Sequence, residues 1–175
     1  MIPASYIQEW SSKAPWPDSR LVEQDLIISR ALCDLFNSPA LAGKIAFRGG
    51  TAINKLLFRQ SLRYSEDIDL VQTQPEPIGA TIDAIREALS WLGKCSRHQA
   101  GHSMHLVFKF APEADPETTL KLKVEINTRE HESLYGIRPY PFEIDCRWHQ
   151  AKTGILSYEP EEPVSYTHLT LPTIC

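Results

Sequence analysis

Phe47-Arg48-Gly49-Gly50-Thr51, followed a short way on by Arg63-Tyr64-Ser65-Glu66-Asp67-Ile68-Asp69-Leu70, is the most informative text in this 175-residue chain. The apolar run Ile45-Ala46-Phe47 stops at the glycine pair, after which Ala52, Ile53, Leu56 and Leu57 return at helical spacing. That pattern predicts a strand, a tight turn and a helix. Asp67 to Val71 then alternates polar and apolar, as a strand with one buried face does, and Pro75 and Pro77 close it.

The chemistry follows from the same residues. Residues two apart on a strand point the same way, so Asp67 and Asp69 present two carboxylates on one side, roughly 6 to 7 Å apart at the backbone. Hard oxygen ligands at that separation suit Mg²⁺ or Mn²⁺, which proteins usually hold with one or two carboxylates plus substrate phosphates. Gly49 and Gly50 offer backbone N–H groups at the start of a helix, where phosphate is favoured, and Thr51 adds a hydroxyl. Each motif alone is common: D-x-D marks many solvated strand ends, and a glycine pair is usually only a turn. Their order, on adjacent strand ends of one sheet, points to nucleotidyl transfer from a nucleoside triphosphate.

Outward from this centre, Leu21, Val22, Leu26, Ile27, Ala31, Leu32, Leu35 and Phe36 share a helical face, with Asp18 or Ser19 as cap and Asn37-Ser38-Pro39 as stop. A second helix is predicted from Ile78 to Leu92. Met104 to Phe110 and Leu120 to Ile126 have period two and read as an antiparallel pair. In the latter run Lys121, Lys123 and Glu125 occupy the face opposite the apolar residues, so Glu125 is a candidate third carboxylate. It could share the metal or take a proton from an attacking hydroxyl; a solvated strand face is the plain alternative. Beyond Arg129 the text reads as loop, with Pro139, Pro141, Pro160 and Pro163.

The expected organisation is an irregular N-terminal arm over 1–18, a catalytic core over 19–127, a connection over 128–163 and an unpatterned tail over 164–175. Arg48, Lys55, Arg59 and Arg63 read either as triphosphate or RNA contacts or as a solvated helix face. His98, His102 and His105 have a spacing that zinc accepts, but no cysteine joins them and surface histidines are the better reading.

Composition sets the outer bounds. With 42% hydrophobic and 23% charged residues the chain is neither disordered nor membrane-spanning in type, and its length suits one domain. A net charge of −4 gives no overall electrostatic footprint for nucleic acid, so an RNA partner has to be argued from the site. Its 4 cysteines form no C-x-x-C pair, which fits a reducing cytoplasm, and no segment reads as a targeting signal or membrane span.

Residues Glu23 to Asn127 resemble the nucleotidyltransferases of the AbiEii/AbiGii toxin type. Matching features are Glu23 and Asp25, the run Phe47 to Ala52 with Lys55, the run Arg63-x-Ser65-Glu66-Asp67-Ile68-Asp69, and Lys123-Val124-Glu125-Ile126-Asn127. The resemblance implies an α+β, polymerase-beta-like nucleotidyltransferase fold with a mixed sheet flanked by helices. It implies Asp67, Asp69 and Glu125 as catalytic acids, and adds Lys55, Arg63 and Ser65 to Gly49, Gly50 and Thr51 as nucleotide-binding residues. It further implies magnesium, a bound NTP, a cognate antitoxin, a role in toxin–antitoxin or phage-defence systems, and a tRNA acceptor. Relatives continue into helices carrying a lysine and an Arg-Asp pair, whereas this chain reads Pro163-Val164-Ser165-Tyr166 and on to Cys175. That tail resembles translated adapter sequence, so the chain is expected to be a truncated form with weak or no activity. The rival expectations are a nucleotide- or protein-binding module without turnover, and a transferase acting on a small molecule or protein.

Overall fold

A computed structural model describes residues 2–58, 62–129 and 136–159. Helix α1 spans Ala4–Trp10, α2 Ser19–Asn37, α3 Gly49–Leu57 and α4 Gly79–Ala88. The strands are β1 Ile45–Arg48, β2 Asp67–Gln72, β3 Cys95–Ala100, β4 Ser103–Phe110, β5 Leu120–Asn127, β6 Ile137–Cys146 and β7 His149–Tyr158. They form one mixed sheet in the order β3-β4-β5-β2-β1-β7-β6. The fold is α+β, as expected.

Alternation along the strands sorts the sheet into two faces. Ile45, Phe47, Ile68, Leu70, Leu122, Val124 and Ile126 join the main core with Leu26, Leu32 and Leu35 of α2 and Ile82 and Ile85 of α4. Each such side chain contributes about 1.5–3 kcal/mol by leaving water. The opposite parity of β1 and β2, Ala46 and Val71, belongs to a small separate cluster with Tyr158. Asp67 and Asp69 share that parity, so they stand on the face away from the main core.

The long helix α2 runs where its apolar spacing predicts, and the Asp18 carboxylate caps it by accepting from the Arg20 N–H. The predicted helix 78–92 is shorter: α4 stops at Ala88, and a 3-10 turn over Ser90–Leu92 carries Leu92 into the core. The structure departs from the sequence reading at three further places. Residues 1–18 are not wholly irregular, since α1 forms there and buries Ile7 and Trp10. The edge strand β3 escaped notice because its residues are almost all exposed and lack an apolar alternation.

The third departure concerns the end of the core. The loop expected after Arg129 contains the β6–β7 hairpin, so the sheet does not stop at 127. Parallel pairing of Phe47 with Ser157 joins β7 to β1, and the Ser157 hydroxyl donates to the Phe47 carbonyl at 2.7 Å. Pro139 and Pro141 are tolerated because β6 is an edge strand, where a missing N–H leaves no neighbour unsatisfied. No helix of the described residues is long and apolar enough to cross a membrane. The predicted tail over 164–175 lies outside the described residues.

Candidate active site

The turn between β1 and α3 is made by Gly49, whose φ of +80° lies in the region that favours glycine. Antiparallel pairing sets Arg48 opposite Asp69, which brings the turn against the aspartate. A Cβ on Gly49 would stand 2.7 Å from Asp69 Oδ2, closer than atoms approach. Gly50 is less constrained: its Cβ would meet only Arg63 Nη1, at 3.5 Å. No side chain caps α3, so its first N–H groups gain no acceptor from the N-cap residue.

Gly50, Thr51, Asn54, Arg63, Ser65, Asp67 and Asp69 line one open polar pocket of about 140 Å³. Six of these were expected from sequence. The Thr51 and Ser65 hydroxyls are in hydrogen-bond contact, tying the first turn of α3 to the segment leading into β2. Asn54, which sequence reading missed, donates to the Arg63 carbonyl at 2.9 Å and accepts from the Leu62 N–H at 2.9 Å. It thereby holds the loop that presents Arg63. Its spacing of one helical turn from Thr51 was the available signal.

Parallel pairing of β2 with β5 places Glu125 opposite Asp69 and Lys123 opposite Asp67. Glu125 therefore joins the two aspartates on one face. Burial raises the Asp69 carboxyl above its ordinary range, and the charges of Glu125 and Asp67 add to the effect. Asp67 is raised in the same sense, by burial first, against the opposing charge of Lys123. For Glu125 burial also pushes upward, but the hydrogen bond and charge of Lys123, helped by Ser103 and His105, outweigh it and leave the carboxyl below its usual range. The Lys123 ammonium sits 3.0 Å from Glu125 Oε2 and 3.9 Å from Asp67 Oδ2. His105 on β4 faces Glu125, with Nε2 at 3.6 Å from Oε2.

This donor set fits a hard divalent cation, because it is all oxygen, partly desolvated and rich in mutually repelling negative charge. Among the described residues no three His, Cys, Asp or Glu side chains converge as a metal cage. Two carboxylates with substrate oxygens completing the shell is the usual magnesium arrangement.

Lys55 departs from expectation. Its ammonium donates to Asp25 Oδ1 at 2.6 Å and to the Ser29 hydroxyl at 3.1 Å, and the pair is almost wholly buried. The Trp10 indole donates to the other Asp25 oxygen at 2.8 Å. Lys55 thus joins α3 to α2 and is not part of the pocket lining. Glu23, the other acid of α2 in the resemblance, is buried and accepts from the Glu113 N–H at 2.9 Å. The histidines do not converge: His102 contacts Arg129 at 2.8 Å, while His105 meets Glu125 and the His98 ring. Arg59 lies outside the described residues.

The family model described as Nucleotidyl transferase AbiEii toxin, Type IV TA system, matches residues 30–164, more than half of the chain. No curated protein matches the chain. Among solved structures, MenT4, a nucleotidyltransferase toxin from Mycobacterium tuberculosis H37Rv, superposes with TM-score 0.60 at 12% identity, covering 96% of this chain and 58% of that one. JHP933 from Helicobacter pylori superposes with TM-score 0.55 at 14% identity, covering 85% of this chain and 56% of that one. These likenesses show the fold, and this chain spans less than three fifths of either structure's length.

Proposed function

The chain belongs to the AbiEii family of nucleotidyltransferase toxins, and we propose that it transfers a nucleoside monophosphate from an NTP to an RNA acceptor, specifically tRNA. We further propose that it acts in the cytoplasm as the toxin of a toxin–antitoxin pair with a role in phage defence. The observation that best supports transfer is the fit of the Gly49 turn against Asp69, which sets the start of α3 beside paired carboxylates.

In this reading the first N–H groups of α3, the Thr51 and Ser65 hydroxyls and the Arg63 guanidinium hold the triphosphate oxygens. Asp67 and Asp69 would hold Mg²⁺ or Mn²⁺. When bound, that cation supplies charge neutralisation and orientation of the triphosphate. The acceptor hydroxyl oxygen forms a bond to the α-phosphorus as the bond to pyrophosphate breaks. Glu125 takes the hydroxyl proton.

The test is transfer of α-labelled NTP to tRNA with Mg²⁺, read together with pyrophosphate release. Asp69→Asn is expected to abolish both, and Glu125→Gln to slow them by about 10²–10⁴-fold. Asp69→Asn should melt no lower than wild type, because burial beside two other carboxylates disfavours the ionised form. Undiminished transfer by Asp69→Asn would sink the assignment. Calorimetric NTP binding without pyrophosphate release by wild type would favour a binding module.

A further inference from the structure

Three carboxylates share one sheet face, and among the described residues the Lys123 ammonium stands within salt-bridge distance of two of them. Lys123 is carried on β5 directly across from Asp67, and two residues before Glu125, so the backbone register delivers it between the acids. Its side chain is about one-third exposed, which leaves a four-carbon stem room to swing. An ammonium in that position neutralises the same oxygens that a divalent cation would neutralise. The two cannot contact those oxygens at once.

Resting on the metal-site reading above, we infer that Lys123 is the resident counter-ion of the carboxylate cluster, displaced when a divalent cation enters and then paired with the triphosphate that accompanies it. Two consequences follow from charge alone. Lys123 weakens binding of the bare metal, because the ion has to displace an ammonium already in contact. It also makes metal and nucleotide bind cooperatively, since the released ammonium finds a new anion only when triphosphate is present.

The experiment is Mn²⁺ titration followed by electron paramagnetic resonance, with and without a non-hydrolysable NTP analogue, on wild type, Lys123→Gln and Lys123→Met. Lys121→Gln, an exposed lysine on the same face of β5, serves as control. Both Lys123 variants are expected to bind Mn²⁺ alone about five- to tenfold tighter than wild type, and to lose most of the enhancement that the analogue gives. Lys121→Gln should behave as wild type. Unchanged or weaker Mn²⁺ binding by folded Lys123 variants, with wild type binding normally, overturns this inference alone. If neither wild type nor the variants bind Mn²⁺, the metal-site reading fails and takes the inference with it.

Discussion

At the residue scale, the two adjacent glycines look alike in sequence but have different reasons to be there. Gly49 has positive φ and no space for a Cβ, because Asp69 Oδ2 already occupies it. Gly50 has only an ordinary contact in the way, with the tip of the Arg63 side chain. Gly49→Ala is therefore expected to destabilise the fold by about 1–3 kcal/mol and to displace Asp69, eliminating transfer. Gly50→Ala should fold normally, with any loss confined to nucleotide affinity. Urea unfolding and the labelled-NTP assay on the two variants check the contrast, and equal effects would contradict it.

At the scale of elements, α3 is the piece on which the pocket depends, and it is held by a charge pair rather than by apolar area alone. Asp25 on α2 receives Lys55, Trp10 of α1 completes the second carboxylate oxygen, and Asn54 fastens the following loop. Removing one partner of a buried pair leaves the other charge unpaired. Lys55→Met is expected to cost about 3–5 kcal/mol in urea unfolding and to lower activity through a misplaced α3. Lys55→Met combined with Asp25→Asn should recover most of the stability, because no buried charge remains and Trp10 keeps an acceptor. A double variant as unstable as the single one would show that the pair does not carry this energy.

At the scale of the whole molecule, the β6–β7 hairpin closes the sheet on the side away from β3. Ile144, Cys146 and Ile155 lie in the main core, and Tyr158 buries Ala46 and Val71 on the other face. A chain ending at Asn127 would leave β1 as an unpaired edge and uncover both clusters. It is expected to show no cooperative thermal transition by circular dichroism, whereas the 175-residue chain should show one. A cooperative transition in the shortened chain would restore the core boundary expected at 127.

Much of this was legible because it is local. The apolar stripe of α2, the strand, glycine turn and helix around Gly49, and the alternation in β2, β4 and β5 each obey a short-range period that neighbouring residues impose. The two aspartates share a face for the same reason. What could not be read along the chain depends on pairing between distant segments: Glu125 opposite Asp69, Lys123 opposite Asp67, and β7 against β1. The prolines of β6 disguised a strand that only its edge position permits. Lys55 looked like a phosphate ligand until the packing of α3 on α2 gave it Asp25. Local periodicity sets which side chains point together along an element; register and packing set which charges meet, and it is the meeting of charges that makes the site.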